Sequence, residues 1–218
     1  RGRTGPAGRR DWIAMSGVTD PYQPLEANFE LTRRLLEACL EFRQPVGLIT
    51  KSALVRRDAE LLGRLSRAAG ARVFLSIPFA SEHDARALEP WAPSPRIRFN
   101  ALAALRGQGV PTGVSLSPMI PGLNDHAIPE ILGRAAQAGA TRAFMIMLRL
   151  PAEVASVFEE RLRAAFPDRA DRVLGQLEQC RGAQASRAAF GSRMAGSGPR
   201  WQAVEDLFTL WCRRHQLE

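Results

Sequence analysis

VGLITKSALVRRD, residues 46–58, decides the architecture. Val46–Ile49 is an unbroken apolar run, the pattern of a strand buried on both faces. Thr50, Lys51 and Ser52 make a small polar turn behind it. Asp58 then opens a helix whose Leu61, Leu62 and Leu65 face inward and which Gly70 ends. Strand, polar turn and helix is one βα unit, and the unit recurs in both directions. Trp12–Met15, Arg72–Ser76, Thr112–Leu116 and Arg142–Met147 read as further strands; the five begin 34, 26, 40 and 30 residues apart.

The intervening stretches carry helical period. Leu31, Leu35, Cys39 and Phe42 form a stripe at i, i+4, i+8, i+11 that predicts a helix with this face inward. Ser94-Pro95 is an N-cap followed by proline at the first helical position, and that helix stops at Gly107. Ile128, Ile131, Leu132 and Ala135 build another, closed by Gly139. After Leu150 the strand signal ends. Helices are expected over 152–166 and 169–179, then a Gly-rich segment, FGSRMAGSG (190–198), and a last helix with Val204, Leu207, Phe208 and Trp211 on one face. Apolar strands joined by crossover helices imply a parallel sheet covered by helices. Five such strands suit either a doubly wound sheet or an arc of a barrel. A dinucleotide fold is disfavoured because no G-x-G-x-x-G follows the first strand, and ITKS lacks the glycines of a P-loop.

Composition narrows the class. Hydrophobic content of 45% and charged content of 24% are those of a globular chain. No apolar run approaches the roughly 20 residues that span a bilayer, so no membrane partner and a cytoplasmic location are expected. Residues 1–10 hold four arginines and three glycines and read as a frayed remnant left by truncation. Cys39, Cys180 and Cys212 are far apart in helical patterns and read as three small buried hydrophobes, with no metal-ligand spacing. Of the 30 basic residues only Lys51 is lysine. In a chain that otherwise uses arginine, it marks a place for a compact ammonium where a guanidinium is too large.

Sites in parallel α/β architectures form at the carboxyl ends of the strands. Those ends read SGVTDPYQP (16–24), TKS (50–52), SIP (76–78), SPMIPGLND (117–125) and LRLP (148–151). They offer hydroxyls, glycine, proline and few charges, which suits a polar small molecule and supplies no nucleophile–base pair.

In this order the segments resemble the radical SAM proteins related to spore photoproduct lyase: SGVTDPYQPLE, LITKSALVRRD, SIP with EPWAPSPRIR, SPMIPGLND, LRLP-x-EV and FGSRMAGSG. The resemblance implies an α/β fold of a particular kind, a partial (β/α)6 barrel. Residues 11–151 would form the barrel without its first βα unit, and 152–218 a C-terminal helical extension. It also implies S-adenosylmethionine beside a 4Fe-4S cluster, an external electron donor, and a 5′-deoxyadenosyl radical that takes hydrogen from a substrate, nucleic acid being one class. In the family a C-x-x-x-C-x-x-C loop after the first strand holds the cluster. That pattern is absent from these 218 residues, whose first strand matches the family's second, so the chain is expected to be inactive by itself.

The resemblance also implies roles. Ser16, Gly17, Thr19 and Asp20 match the segment that meets the methionine ammonium; carbonyls, a hydroxyl and a carboxylate are the right acceptors. The alternative reading of the same residues, second to this one, is a Thr-Asp-Pro turn that merely ends a strand. Lys51 and Ser52 match the end of the third strand, where a lysine would hold the methionine carboxylate or a substrate phosphate. Ser76 matches a hydroxyl that meets the ribose. Arg96 would fork a carboxylate, or pair with Glu89 on a helix surface. Pro118, Ile120, Pro121 and Gly122 resemble an apolar shelf for adenine, and Arg149 would point at cofactor or substrate. Tyr22 and Arg193 are placed where substrate would enter. Two other readings stand beside this one: a barrel lyase using Lys51 as a Schiff-base lysine, and a non-enzymatic nucleic-acid-binding module driven by the net charge of +8.

Overall fold

The computed structural model describes residues 11–16, 19–181 and 196–218. Five strands, β1 (Ile13–Met15), β2 (Val46–Thr50), β3 (Ala71–Ser76), β4 (Thr112–Met119) and β5 (Arg142–Met147), follow one another in chain order in one parallel sheet. The helices are α1 (Glu26–Phe29), α2 (Leu31–Glu41), α3 (Ala59–Ala68), α4 (Glu82–Leu88), α5 (Pro95–Gly107), α6 (Ile128–Gln137), α7 (Ala152–Ala165), α8 (Ala170–Arg181) and α9 (Gly198–Arg214). The chain is α/β, and each expected strand lies within a residue or three of its predicted bounds. The chain divides into two compact units: 1–76 with 92–114 and 134–142, and 77–91 with 115–133 and 143–218.

In the first unit Val46 pairs with Ile13 and Ala71, and the ladder runs on to Thr50 opposite Leu75. Val46, Leu48, Val73 and Leu75 are fully buried, as continuous apolar strands require. Leu62 and Leu65 of α3 and Leu102 and Leu105 of α5 are fully buried as well. Gly113 is required by close approach: a Cβ there would stand 2.3 Å from the Phe74 ring.

The expected stripe on α2 is corrected. Its inward face is Thr32, Leu36 and Cys39, whereas Leu31, Leu35 and Phe42 are exposed, Leu35 to 55%. Charge also positions the helix. Glu26 accepts from the Thr32 and Arg33 amides at 3.0 and 3.3 Å, which satisfies two of the donors a helix start leaves open. Arg57 holds Glu26 at 2.8 Å and also bonds Asp58, which is fully buried. Arg33 reaches Asp58 at 2.6 Å. Asp58 precedes α3 but makes no side-chain capping bond there, and residues 53–58 form a 3₁₀ turn that helical periodicity does not announce.

In the second unit Phe79, Ala85, Ile120, Leu123, Leu162, Phe166, Val173 and Leu177 share one core. The segment after β3, the loop after β4 and the helices α7 and α8 therefore stabilise each other. On α9 the buried residues are Trp201, Val204 and Cys212, while Leu207, Phe208 and Trp211 are half-buried. Among the described residues no helix is long and apolar enough to cross a membrane.

Candidate functional site

In the first unit the chain after β1 folds back onto the end of β2. Asp20 makes an Asx turn, accepting from the Tyr22 amide at 2.8 Å. The same carboxylate accepts from the Thr50 hydroxyl at 2.6 Å and from the Lys51 amide at 2.8 Å. Lys51 lies just past the strand, and Asp20 gives its amide an acceptor. Thr50 passes the order on, accepting from the Ser52 amide at 2.9 Å. Ser52 caps the following 3₁₀ turn through the Leu54 amide at 3.3 Å. Asp20, Lys51 and Ser52 are thus brought together at one strand end, all half-buried. Thr19 is exposed beside them and accepts from Gln23 at 2.9 Å; Ser16 is exposed, and Gly17 lies outside the described residues.

Tyr22 is corrected. It is almost fully buried and donates to Asp58 at 3.1 Å, so it does not face an entrance. Burial, followed by the Asp58 charge, pushes its phenol well above the ordinary tyrosine range. Glu26 goes the other way. Burial raises its carboxyl, but the Thr32 amide, the Arg57 guanidinium and the Arg33 amide together outweigh burial and hold it below the ordinary value.

Ser76 is buried at the end of β3. Its carbonyl accepts at 2.8 Å from Arg98, which is 1% exposed and also donates to the Pro93 carbonyl at 2.7 Å. Arg96, two residues earlier on α5, is exposed. The arginine that ties α5 to this strand end is therefore Arg98, which sequence reasoning missed; the only signal was its place on the inward face with Leu102 and Leu105.

In the second unit β4 carries a cis Ser117-Pro118 bond near its end, and the loop starts after Met119. Asn124, also missed, gathers it. Its side-chain oxygen accepts from the Ile120 amide at 2.7 Å, and its nitrogen donates to the Pro78 and Pro118 carbonyls at 2.8 and 3.0 Å. Ile120 points into the core, and Pro121 is buried, so of the expected shelf Pro118 and Gly122 remain half-exposed. Arg149 is exposed; Arg193 lies outside the described residues.

The cysteines do not fit an iron–sulfur cluster. Cys39, Cys180 and Cys212 are free and buried, one each on α2, α8 and α9, and burial raises all three thiols, Cys212 to about 11. Thiolates, not thiols, ligate iron. No group of three or more metal-ligating side chains occurs among the described residues.

No family model matches the chain. It is 29% identical over 169 residues to an uncharacterized protein of Mycobacterium tuberculosis, covering 77% of this chain and 50% of that protein. It is 36% identical over 113 residues to an uncharacterized protein of Methanocaldococcus jannaschii, 52% of this chain and 42% of the relative. It is 26% identical over 156 residues to a radical SAM Nα-GlyT isomerase of Pseudomonas phage M6, 71% of this chain and 32% of the isomerase. The chain thus spans about half the length, or less, of the curated relatives it matches. In fold it is similar to spore photoproduct lyase, with a TM-score of 0.61 at 16% identity, over 96% of this chain and 60% of the lyase. That lyase was solved with AdoMet and dinucleoside spore photoproduct bound.

Proposed function

We propose that the chain is the S-adenosylmethionine-holding part of a radical SAM enzyme. In this reading residues 11–151 form a partial (β/α)6 barrel without its first βα unit, and 152–218 a helical extension. The observation that carries it is the likeness of fold to spore photoproduct lyase across 96% of the chain. The phage relative named as a radical SAM isomerase supports it. So does the exposed apolar surface of Ile13, Leu31 and Leu35, which a preceding βα unit would cover.

Within the first unit, Asp20 and Thr19 would meet the methionine ammonium and Lys51 its carboxylate. A carboxylate, a hydroxyl and a primary ammonium at one half-buried strand end are a fitting set for an amino-acid moiety. S-adenosylmethionine would supply a carbon radical once a 4Fe-4S cluster reduced it, and the buried thiols Cys39, Cys180 and Cys212 would not hold that cluster. The lyase solved with dinucleoside spore photoproduct makes nucleic acid the substrate class to try first.

Calorimetric titration with S-adenosylmethionine and S-adenosylhomocysteine tests the reading. Both should bind, weakly, because no cluster chelates the amino and carboxylate groups. Lys51→Ala should weaken both by about tenfold, or ~1.4 kcal/mol. Absence of binding, or a Lys51→Ala variant that binds like the parent, overturns the assignment. After anaerobic reconstitution the chain should retain no stoichiometric iron.

A further inference from the structure

The second unit carries an opening that takes lining residues from the segment after β4 and most of the others from the last two helices. A cavity of about 550 Å³ is lined by Arg169, Arg172 and Gln176 at the start of α8 and along it, by Arg200 of α9, and by Gly122 and Asp125. Its size is within the range of small-molecule sites.

The charges in it are unevenly spent. Among the described residues Asp125 is the one acid in the lining, and it is buried and committed. It accepts from the Gly122 amide at 3.1 Å and forms an ion pair with Arg200. Arg200 also donates to the Gln176 side-chain oxygen at 3.1 Å, which fixes the guanidinium and leaves the Gln176 amide hydrogens for another acceptor. Gly122 has φ +81°, and a Cβ on it would stand 2.5 Å from that same oxygen, so the floor is shaped around Gln176. Arg169 and Arg172 are exposed, and the described lining holds no second acid to neutralise them. One nitrogen of Arg172 reaches the Gly122 carbonyl at 3.5 Å, which leans its guanidinium over the opening. Asp171, between the two arginines in sequence, is engaged by Arg163 at 2.7 Å.

Three residues apart at a helix start, Arg169 and Arg172 share a face and offer two separate forks. One fork fills a carboxylate. Two forks with a fixed third guanidinium suit an anion with more than two acceptor oxygens. We infer that this pocket is a phosphate-binding site, taking either a phosphodiester of a nucleic-acid strand or a free phosphate monoester. The site lies wholly within the second unit and does not rest on S-adenosylmethionine being bound.

Binding of three probes to the full chain distinguishes the sources: inorganic phosphate, a nucleoside monophosphate, and a labelled single-stranded oligonucleotide titrated at several salt concentrations. The double variant Arg169→Ala/Arg172→Ala is compared with a charge-matched control on α3, Arg64→Ala/Arg67→Ala, with thermal melts confirming that both fold. If the ligand is a strand, the pocket variant loses oligonucleotide affinity, and its slope of log affinity against log salt is shallower by about 0.7, the value for one single-strand phosphate that is no longer neutralised. If the ligand is a free monoester, the pocket variant loses the mononucleotide and inorganic phosphate instead. Either result, with the control unchanged, supports the site. Equal losses in both variants would mean that only net charge is being read. That result, or a pocket variant that binds all three probes like the parent, overturns the proposal.

Discussion

Helices α2 and α6 are written alike and held differently. Each shows a stripe of large apolar residues at helical spacing. On α6 the stripe is the core face, and Ile128, Ile131, Leu132 and Ala135 are all fully buried. On α2 and its C-cap the residues of the stripe Leu31, Leu35 and Phe42 face out, and Thr32, Leu36 and Cys39 face in. What burial does for α6, a ring of ion pairs helps to do for α2: Glu26 at its first turn, with Arg33, Arg57 and Asp58 around it. Periodicity finds a helix; it does not say which side a neighbour occupies.

The comparison can be broken most severely at Asp58. Replacing it with alanine leaves the buried Tyr22 hydroxyl without its acceptor and lets Arg33 and Arg57 fall back on Glu37 and Glu26, and should cost about 3–5 kcal/mol. Denaturant titration measures this, and a loss below ~1 kcal/mol would mean the network holds nothing. Leu132→Ala on α6 should cost about 2–5 kcal/mol through a cavity that the neighbouring core cannot refill. Hydrogen exchange should then localise the first loss to α2 and the second to α6.

Acid sharpens the contrast further. The Glu26 carboxyl lies below its ordinary value of 4.5 in the folded chain. The unfolded chain therefore takes up this proton first as pH falls. The stability Glu26 contributes is complete above about 4.5 and is lost as pH drops through the lower, folded value. Melts between about pH 7 and 3 should show exchange protection failing in α2 before α6, and simultaneous failure would break the contrast. The smallest effect belongs to the exposed stripe: Leu35→Gln should leave stability within about 0.5 kcal/mol. A larger loss would show that the chain buries Leu35 in solution, against some neighbour.

The strands were legible because parallel strands covered by helices are short apolar runs; VGLIT is buried at every second residue, and RAFMIM keeps the apolar run although only Met147 of β5 is buried. The caps of α5 were legible because Ser94-Pro95 leaves few alternatives. Charges placed inside were not. Arginine is read as surface by default, so Arg98 under Ser76 and Arg57 between two acids were invisible, and the exposed Arg96 was weighed instead. Asp20 stands out in the sequence as an acceptor in the segment after β1, but its bonds to Thr50 and the Lys51 amide at the end of β2 do not, because they join positions 30 and 31 residues apart. The Arg200–Asp125 pair spans 75 residues and has no local trace at all. Helix α4 escaped because seven residues carry too little period, although Ser81 caps it at 3.3 Å.

The exposed apolar side chains of the first unit have a practical consequence. Trp12, Ile13, Leu25, Phe29, Leu31, Leu35 and Phe42 all fall within 31 consecutive residues. Surface of that composition makes a chain bind environment-sensitive dyes while fully folded and sediment as larger species when concentrated. Light scattering across a dilution series would therefore report on this stretch before it reported on unfolding. A mild detergent or added arginine in the buffer would change what the instrument sees.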